Sequence, residues 1–220
     1  MIDPEKLIQG TVAVYGEALY KELYGEILPC PATRVIEAGD GHRLDFHGRV
    51  LSFLDTPGHA RHHFCVHDSA SNGLFTGDTF GISYREFDVE GRPFIFPTST
   101  PVQFEPEALH ASVERLMSLS PAAVYLTHYG RVTDLAPLAV DQHRLIDDYV
   151  RLARAAPGRG AERHAWLKEA LLDLLQAGLR AHGCALAPAH CRERLESDAE
   201  LNAQGLLVWR DRQDPAANLT

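Results

Sequence analysis

The sequence predicts an α/β chain in which a mixed sheet domain over residues 1–133 leads into a helical region over residues 134–220. Three observations carry that expectation. Between Thr33 and His128 apolar residues come in short runs of β type, set apart by turn residues. One helical stretch, opened by Glu105-Pro106 and closed by Ser120-Pro121, interrupts those runs. Beyond Asp134 the pattern lengthens into helices near 134–155, 161–181 and 190–210, divided by Pro157-Gly158 and by Gly183 to Pro188.

Taken in order, Asp3-Pro4 opens a helix, with Asp3 as cap and Pro4 at the first helical position, where its missing donor costs nothing. Leu7, Ile8, Val12, Tyr15, Leu19 and Leu23 continue one stripe to Gly25, and Pro29 and Pro31 end it. Arg34–Ala38 and Arg43–Phe46 read as strands about a Gly39-Asp40-Gly41 turn. Val50–Asp55 is apolar on both faces, which predicts a strand buried between layers. Phe64–His67 and Leu74–Thr76 are two further strands, and Ala122–Thr127 is the last before His128. Residues 80–104 are irregular and rich in Gly, Pro and aromatics; Tyr84, Arg85, Phe94 and Phe96 could line a pocket or a plain surface loop.

The bulk numbers narrow the function classes. At 220 residues and 45% hydrophobic content the chain can bury a core without staples. A net charge of −9, with its basic residues interleaved with acids, argues against a nucleic-acid partner. No apolar run reaches the roughly 18 residues of a membrane span. The Met-Ile-Asp-Pro-Glu-Lys start has no signal-peptide character, so a cytoplasmic location is expected. Cys30, Cys65, Cys184 and Cys191 lie far apart and read as reduced thiols, Cys65 as a core residue.

Three strands run into a residue able to bind metal. Phe53-Leu54-Asp55 leads to Thr56-Pro57-Gly58-His59, Leu74-Phe75-Thr76 to Gly77-Asp78, and Val124-Tyr125-Leu126 to Thr127-His128. Strand ends converge on one sheet edge, so His59, Asp78 and His128 can meet there, and two imidazoles with a carboxylate suit zinc or iron. Gly58 and Gly77 supply the tight turns that swing two of these side chains outward. Each alone has an ordinary loop explanation; the repetition of one context three times favours a metal site. His182, Cys184, His190 and Cys191 lack a Cys-x-x-Cys knuckle and read as a helix end and loop. His62 and His63 follow His59 by three and four residues, as either structural residues or further ligands, and Thr127 and Tyr129 flank His128, for ordinary packing or a supporting hydrogen bond.

Thr56-Pro57-Gly58-His59, Gly77-Asp78-Thr79 and Thr127-His128, in that order, resemble the third, fourth and fifth motifs of the metallo-β-lactamase superfamily, in its hydroxyacylglutathione-hydrolase-like branch. The resemblance implies a partial αββα sandwich with a C-terminal helical extension. It implies that His59 binds a first metal, Asp78 bridges and orients the nucleophile, and His128 binds a second. The family's upstream His-x-His-x-Asp-His string does not occur in this sequence, which reads as a missing N-terminal segment carrying the first sheet. That departure implies weak binding of a single metal and a slow reaction. It also implies an apolar sheet face left exposed or paired with another chain, a homo-oligomer being one form.

The function so implied is a metal-dependent hydrolase, with a metal-activated water attacking a small ester, thioester or lactone. Zinc is the expected metal, with iron or manganese as substitutes, and the partner is a small-molecule substrate; no substrate-binding residue is identified. The basic substrate-binding residues of the hydroxyacylglutathione branch are not recognisable in the tail. Two alternatives stand beside it: an iron-dependent oxidoreductase of the same fold, of persulfide dioxygenase type, and an inactive remnant serving as a binding or dimerisation module.

Overall fold

In a computed structural model the structure describes residues 2–99 and 103–213. It divides into two compact units, residues 1–38 and 39–220. The first contains helices α1 (Glu5–Tyr15) and α2 (Glu17–Tyr24). The single stripe expected up to Gly25 is broken at Gly16, whose φ of 77° lies outside the helical region. Within this unit Tyr20 stacks on Tyr24 at 5.7 Å between ring centroids. The strand expected over Arg34–Ala38 does not form; Ala32–Arg34 is a short 3₁₀ turn after Pro31.

The second unit is built on one six-stranded sheet in sequence order. Its strands are β1 (Arg43–Phe46), β2 (Arg49–Asp55), β3 (Phe64–Asp68), β4 (Gly73–Gly77), β5 (Ala123–Leu126) and β6 (Arg131–Val132). Neighbours are antiparallel except β4 and β5, which are parallel. A parallel pair needs a crossover, and helix α3 (Pro106–Ser118) supplies it. Strands β2, β4 and β5 therefore point the same way, and their C-terminal ends share one edge. The two-residue β6 was not foreseen; it returns immediately after Gly130, which has a φ of 136°.

One face of the sheet is a core. Leu54, Cys65, Leu74, Val124, Leu126 and Val132 pack with Val113 and Leu116 of α3 and with Leu135 and Ala139 of helix α4 (Leu135–Ala155). The other face is apolar and open. Phe53 pairs with Val66, Val66 with Phe75 and Phe75 with Tyr125, so these four share it, with Phe64 two residues along β3. Phe64 is 54% exposed and Phe75 49%. Strand β2, expected to be buried on both sides, is covered on the Leu54 side alone. Among the described residues no element of the same unit lies over the other.

A second core joins α4, α5 (Gly160–His182) and α6 (Pro188–Gln213). It also takes Ile82, Phe87, Phe94, Phe96 and Phe104 from the irregular segment. Packing thus runs without a break across position 133. The expected helices at 134–155, 161–181 and 190–210 match α4, α5 and α6 closely. Gly183 caps α5 in the left-handed conformation at a φ of 90°.

Candidate metal centre

Thr56-Pro57-Gly58-His59 leaves the end of β2 and is pinned against the start of α3. The Ser112 hydroxyl donates to the Pro57 carbonyl at 2.6 Å, and the Glu105 amide donates to the Gly58 carbonyl at 2.8 Å. Gly58 sits at a φ of 127°, and a Cβ there would collide with the backbone of Leu109. The glycine is therefore required twice, by conformation and by close approach. His59 follows, buried, with Nδ1 2.9 Å from the Thr98 carbonyl. Only an N–H can pair with a carbonyl, so Nδ1 carries the proton and Nε2 presents its lone pair.

Gly77-Asp78-Thr79 turns off the end of β4. Gly77 has a φ of 51°, and a Cβ there would strike the His63 ring. His63 ties this turn to the first one. Its Nε2 accepts the Asp78 amide at 3.1 Å, and its Nδ1 lies 2.9 Å from the Thr79 hydroxyl. Both ring nitrogens are thus engaged, and His63 is a positioning residue, in keeping with the structural reading of it. Burial, with His59 as the next cause, lowers its pKa to about 4, so the ring is neutral at pH 7. His62 is exposed.

The structure brings the three sequence-selected residues together. Asp78 Oδ2 is 3.4 Å from His59 Nε2, and Asp78 Oδ1 is 3.7 Å from His128 Nε2. Burial pushes the His59 imidazole below its ordinary range. The Asp78 Oδ1 atom is buried and has no hydrogen-bond partner. A buried unpaired carboxylate oxygen is costly, and a cation between it and two imidazole Nε2 atoms would satisfy it. By that test the donor set fits zinc, iron or manganese. The site is open on one side: the His128 side chain is 62% exposed. As placed, no group of three His, Cys, Asp or Glu side chains among the described residues could hold a metal ion.

The sequence reading missed what the helical tail contributes. Asn202 of α6 is fully buried, and its Oδ1 accepts the Ser99 amide at 2.7 Å. Its Nδ2 reaches the Pro97 carbonyl at 3.4 Å. These bonds hold, from both sides, the Thr98 carbonyl that orients His59. Asp198, one turn earlier on α6, accepts the Tyr84 hydroxyl at 2.8 Å. Burial raises its pKa to about 6, against the opposing effects of the Tyr84 hydrogen bond and the nearby His128. Ser83 donates its amide to the His128 carbonyl at 3.3 Å, so the segment after Asp78 is fastened to the turn that bears His128.

Of the other residues singled out above, Tyr129 donates to Asp88 at 2.8 Å, and the Arg85 guanidinium lies 3.8 Å over its ring. Phe94 and Phe96 belong to the core. His182 pairs with the Arg92 carbonyl at 3.1 Å. With Cys184, His190 and Cys191 it belongs to the end of α5, the following loop and the first turn of α6.

A family model of the metallo-beta-lactamase superfamily matches residues 10–128, more than half of the chain. The chain belongs to the metallo-beta-lactamase superfamily. Among curated relatives, it is 29% identical over 140 residues to a metallo-beta-lactamase fold-containing protein of Sulfurisphaera tokodaii, spanning 63% of this chain and 48% of that one. It is 30% identical over 130 residues to a hydroxyacylglutathione hydrolase of Aeromonas hydrophila, spanning 58% of this chain and 45% of that one. The chain thus spans about half the length of these relatives.

Solved structures agree on the fold of this superfamily member. A beta-lactamase domain protein from Burkholderia ambifaria matches at a TM-score of 0.56 and 16% identity, covering 94% of this chain and 55% of that one. An archaeal metallo-beta-lactamase superfamily protein from Sulfolobus tokodaii matches at a TM-score of 0.50 and 24% identity, covering 80% and 63%. Superfamily members are generally hydrolases or related enzymes. No described helix is long and apolar enough to cross a membrane.

Proposed function

We propose that the chain is a metal-dependent hydrolase acting on a small ester, thioester or lactone, with His59, Asp78 and His128 as its metal ligands. The observation that carries this reading is the Asp78 carboxylate, whose buried Oδ1 has no hydrogen-bond partner and whose two oxygens face the Nε2 atoms of His128 and His59. The hydroxyacylglutathione hydrolase among its relatives supports the hydrolytic class.

A bound metal would supply acidity to a water and polarise the scissile carbonyl. The rest of the work falls to the chain. His59 is held by the Thr98 carbonyl with its lone pair toward Asp78. His63 holds the Asp78 amide, and so fixes where the carboxylate points. Asp78 orients the attacking water and can accept a hydrogen bond from it. Three protein ligands with an exposed His128 predict a single metal held weakly, and a modest rate.

Loading with zinc, manganese or iron and assaying short-chain esters, thioesters and lactones tests this. Metal-dependent turnover that is lost in Asp78→Ala is the expected result. Turnover that persists in Asp78→Ala, or none with any metal, contradicts it. Oxygen consumption with a persulfide under iron would identify the oxidoreductase instead.

A further inference from the structure

A cavity of about 580 Å³ is lined in part by Tyr84, Glu86, His190, Glu193 and Arg194, none of them a candidate ligand. Its volume falls in the range of small-molecule sites. Two bonds connect it to the chemistry. Tyr84, on its wall, follows Ser83, whose amide binds the His128 carbonyl at 3.3 Å. The Tyr84 hydroxyl binds Asp198, which is close enough to His128 to feel its charge. Tyr84 thus joins the cavity wall both to Asp198 and, through Ser83, to the His128 backbone.

The charge of this cavity is specific. Glu86 and Arg194 pair at 2.7 Å and neutralise each other. Glu193 lies on the same wall, exposed, while the neighbouring Arg192 and Arg194 pair with Glu169, Glu196 and Glu86. Asp198 adds a second carboxylate behind Tyr84. Leu186 and the Tyr84 ring supply apolar and aromatic surface. An exposed carboxylate beside an aromatic ring is a setting that attracts organic cations and repels carboxylates. The one arginine among the lining residues, Arg194, is engaged by Glu86, and His190 is the other basic side chain of the wall.

We propose that this cavity is the subsite for the non-reacting end of the substrate, and that it takes an organic ammonium group against Glu193 and Tyr84. The assignment deepens the hydrolase reading and rests on it for its catalytic consequence, but the binding preference can be measured without a metal. The probes are hexylammonium and hexanoate, titrated into the full chain and followed by NMR shifts. Hexylammonium binding about two- to fivefold more tightly than hexanoate is expected, the scale of one exposed ion pair. Glu193→Gln should abolish that preference, and added salt should weaken it.

Equal or tighter binding of hexanoate, no binding of either, or a preference unchanged in Glu193→Gln overturns the proposal. A second arm uses metal-loaded chain with matched 4-nitrophenyl esters ending in ammonium or carboxylate. Cleavage of both at equal kcat/KM sinks the cavity assignment and leaves the hydrolase reading standing. Ammonium-selective binding with neither ester cleaved does the reverse.

Discussion

His59 is held by groups that come from three distant parts of the sequence: its own turn, the Thr98 carbonyl and, through Ser99, Asn202 of α6. Such a residue tolerates little displacement. Gly58→Ala forces a Cβ into the Leu109 backbone at a φ of 127°. It should destabilise the protein by about 2–4 kcal/mol, read as a lower urea midpoint. A midpoint within error of the parent would show that the turn relaxes freely. Asp198 gives a pH prediction. Its pKa of about 6 lies above the ordinary 3.8, so between those values the folded state binds more protons than the unfolded one. Stability then falls as pH rises from about 4 to about 6. Asp198→Asn removes this component, and urea midpoints across that window should decline less in the variant than in the parent. Parallel slopes would contradict a raised Asp198 pKa. The meeting of His59, Asp78 and His128 was legible in the sequence because each follows an apolar strand at a turn, and a turn signal is local. Asp198 and Asn202 were not legible: they sit on an otherwise ordinary helical stripe, and their partners lie more than 100 residues away.

At the level of elements, the parallel pairing of β4 with β5 aligns the turns that bear Asp78 and His128. Helix α6 reaches the same edge from the tail and braces the segment before Ser99. Asn202→Leu leaves the Ser99 amide without its buried acceptor. A loss of about 2 kcal/mol in stability is expected, with weaker metal binding that Asn202→Asp partly restores. Unchanged metal affinity with lowered stability would reduce Asn202 to a packing role. The long helices were legible from periodicity and from Pro157-Gly158 and Gly183. The break at Gly16 and the missing strand at 34–38 were not, because each turns on one residue's backbone conformation. An apolar stripe does not record such a kink, nor does a β-type run record the absence of a pairing strand.

At the largest scale, the elements of the sheet unit leave one face of its sheet uncovered. Phe53, Phe64, Val66, Phe75 and Tyr125 form a continuous apolar surface of the kind that other layers or other chains cover. Concentration-dependent self-association, reduced in a Phe64→Ser/Phe75→Ser variant, is expected by analytical ultracentrifugation. A monomer at every concentration would show that this face does not drive assembly. The chemistry of the molecule rests on whether His59, Asp78 and His128 act as one site. The most direct measurement is calorimetric titration of the full chain with zinc, paired with elemental analysis. One weakly held metal per chain, lost alike in His59→Ala, Asp78→Ala and His128→Ala, is the predicted result. Two tightly held metals, or binding untouched by Asp78→Ala, would contradict it.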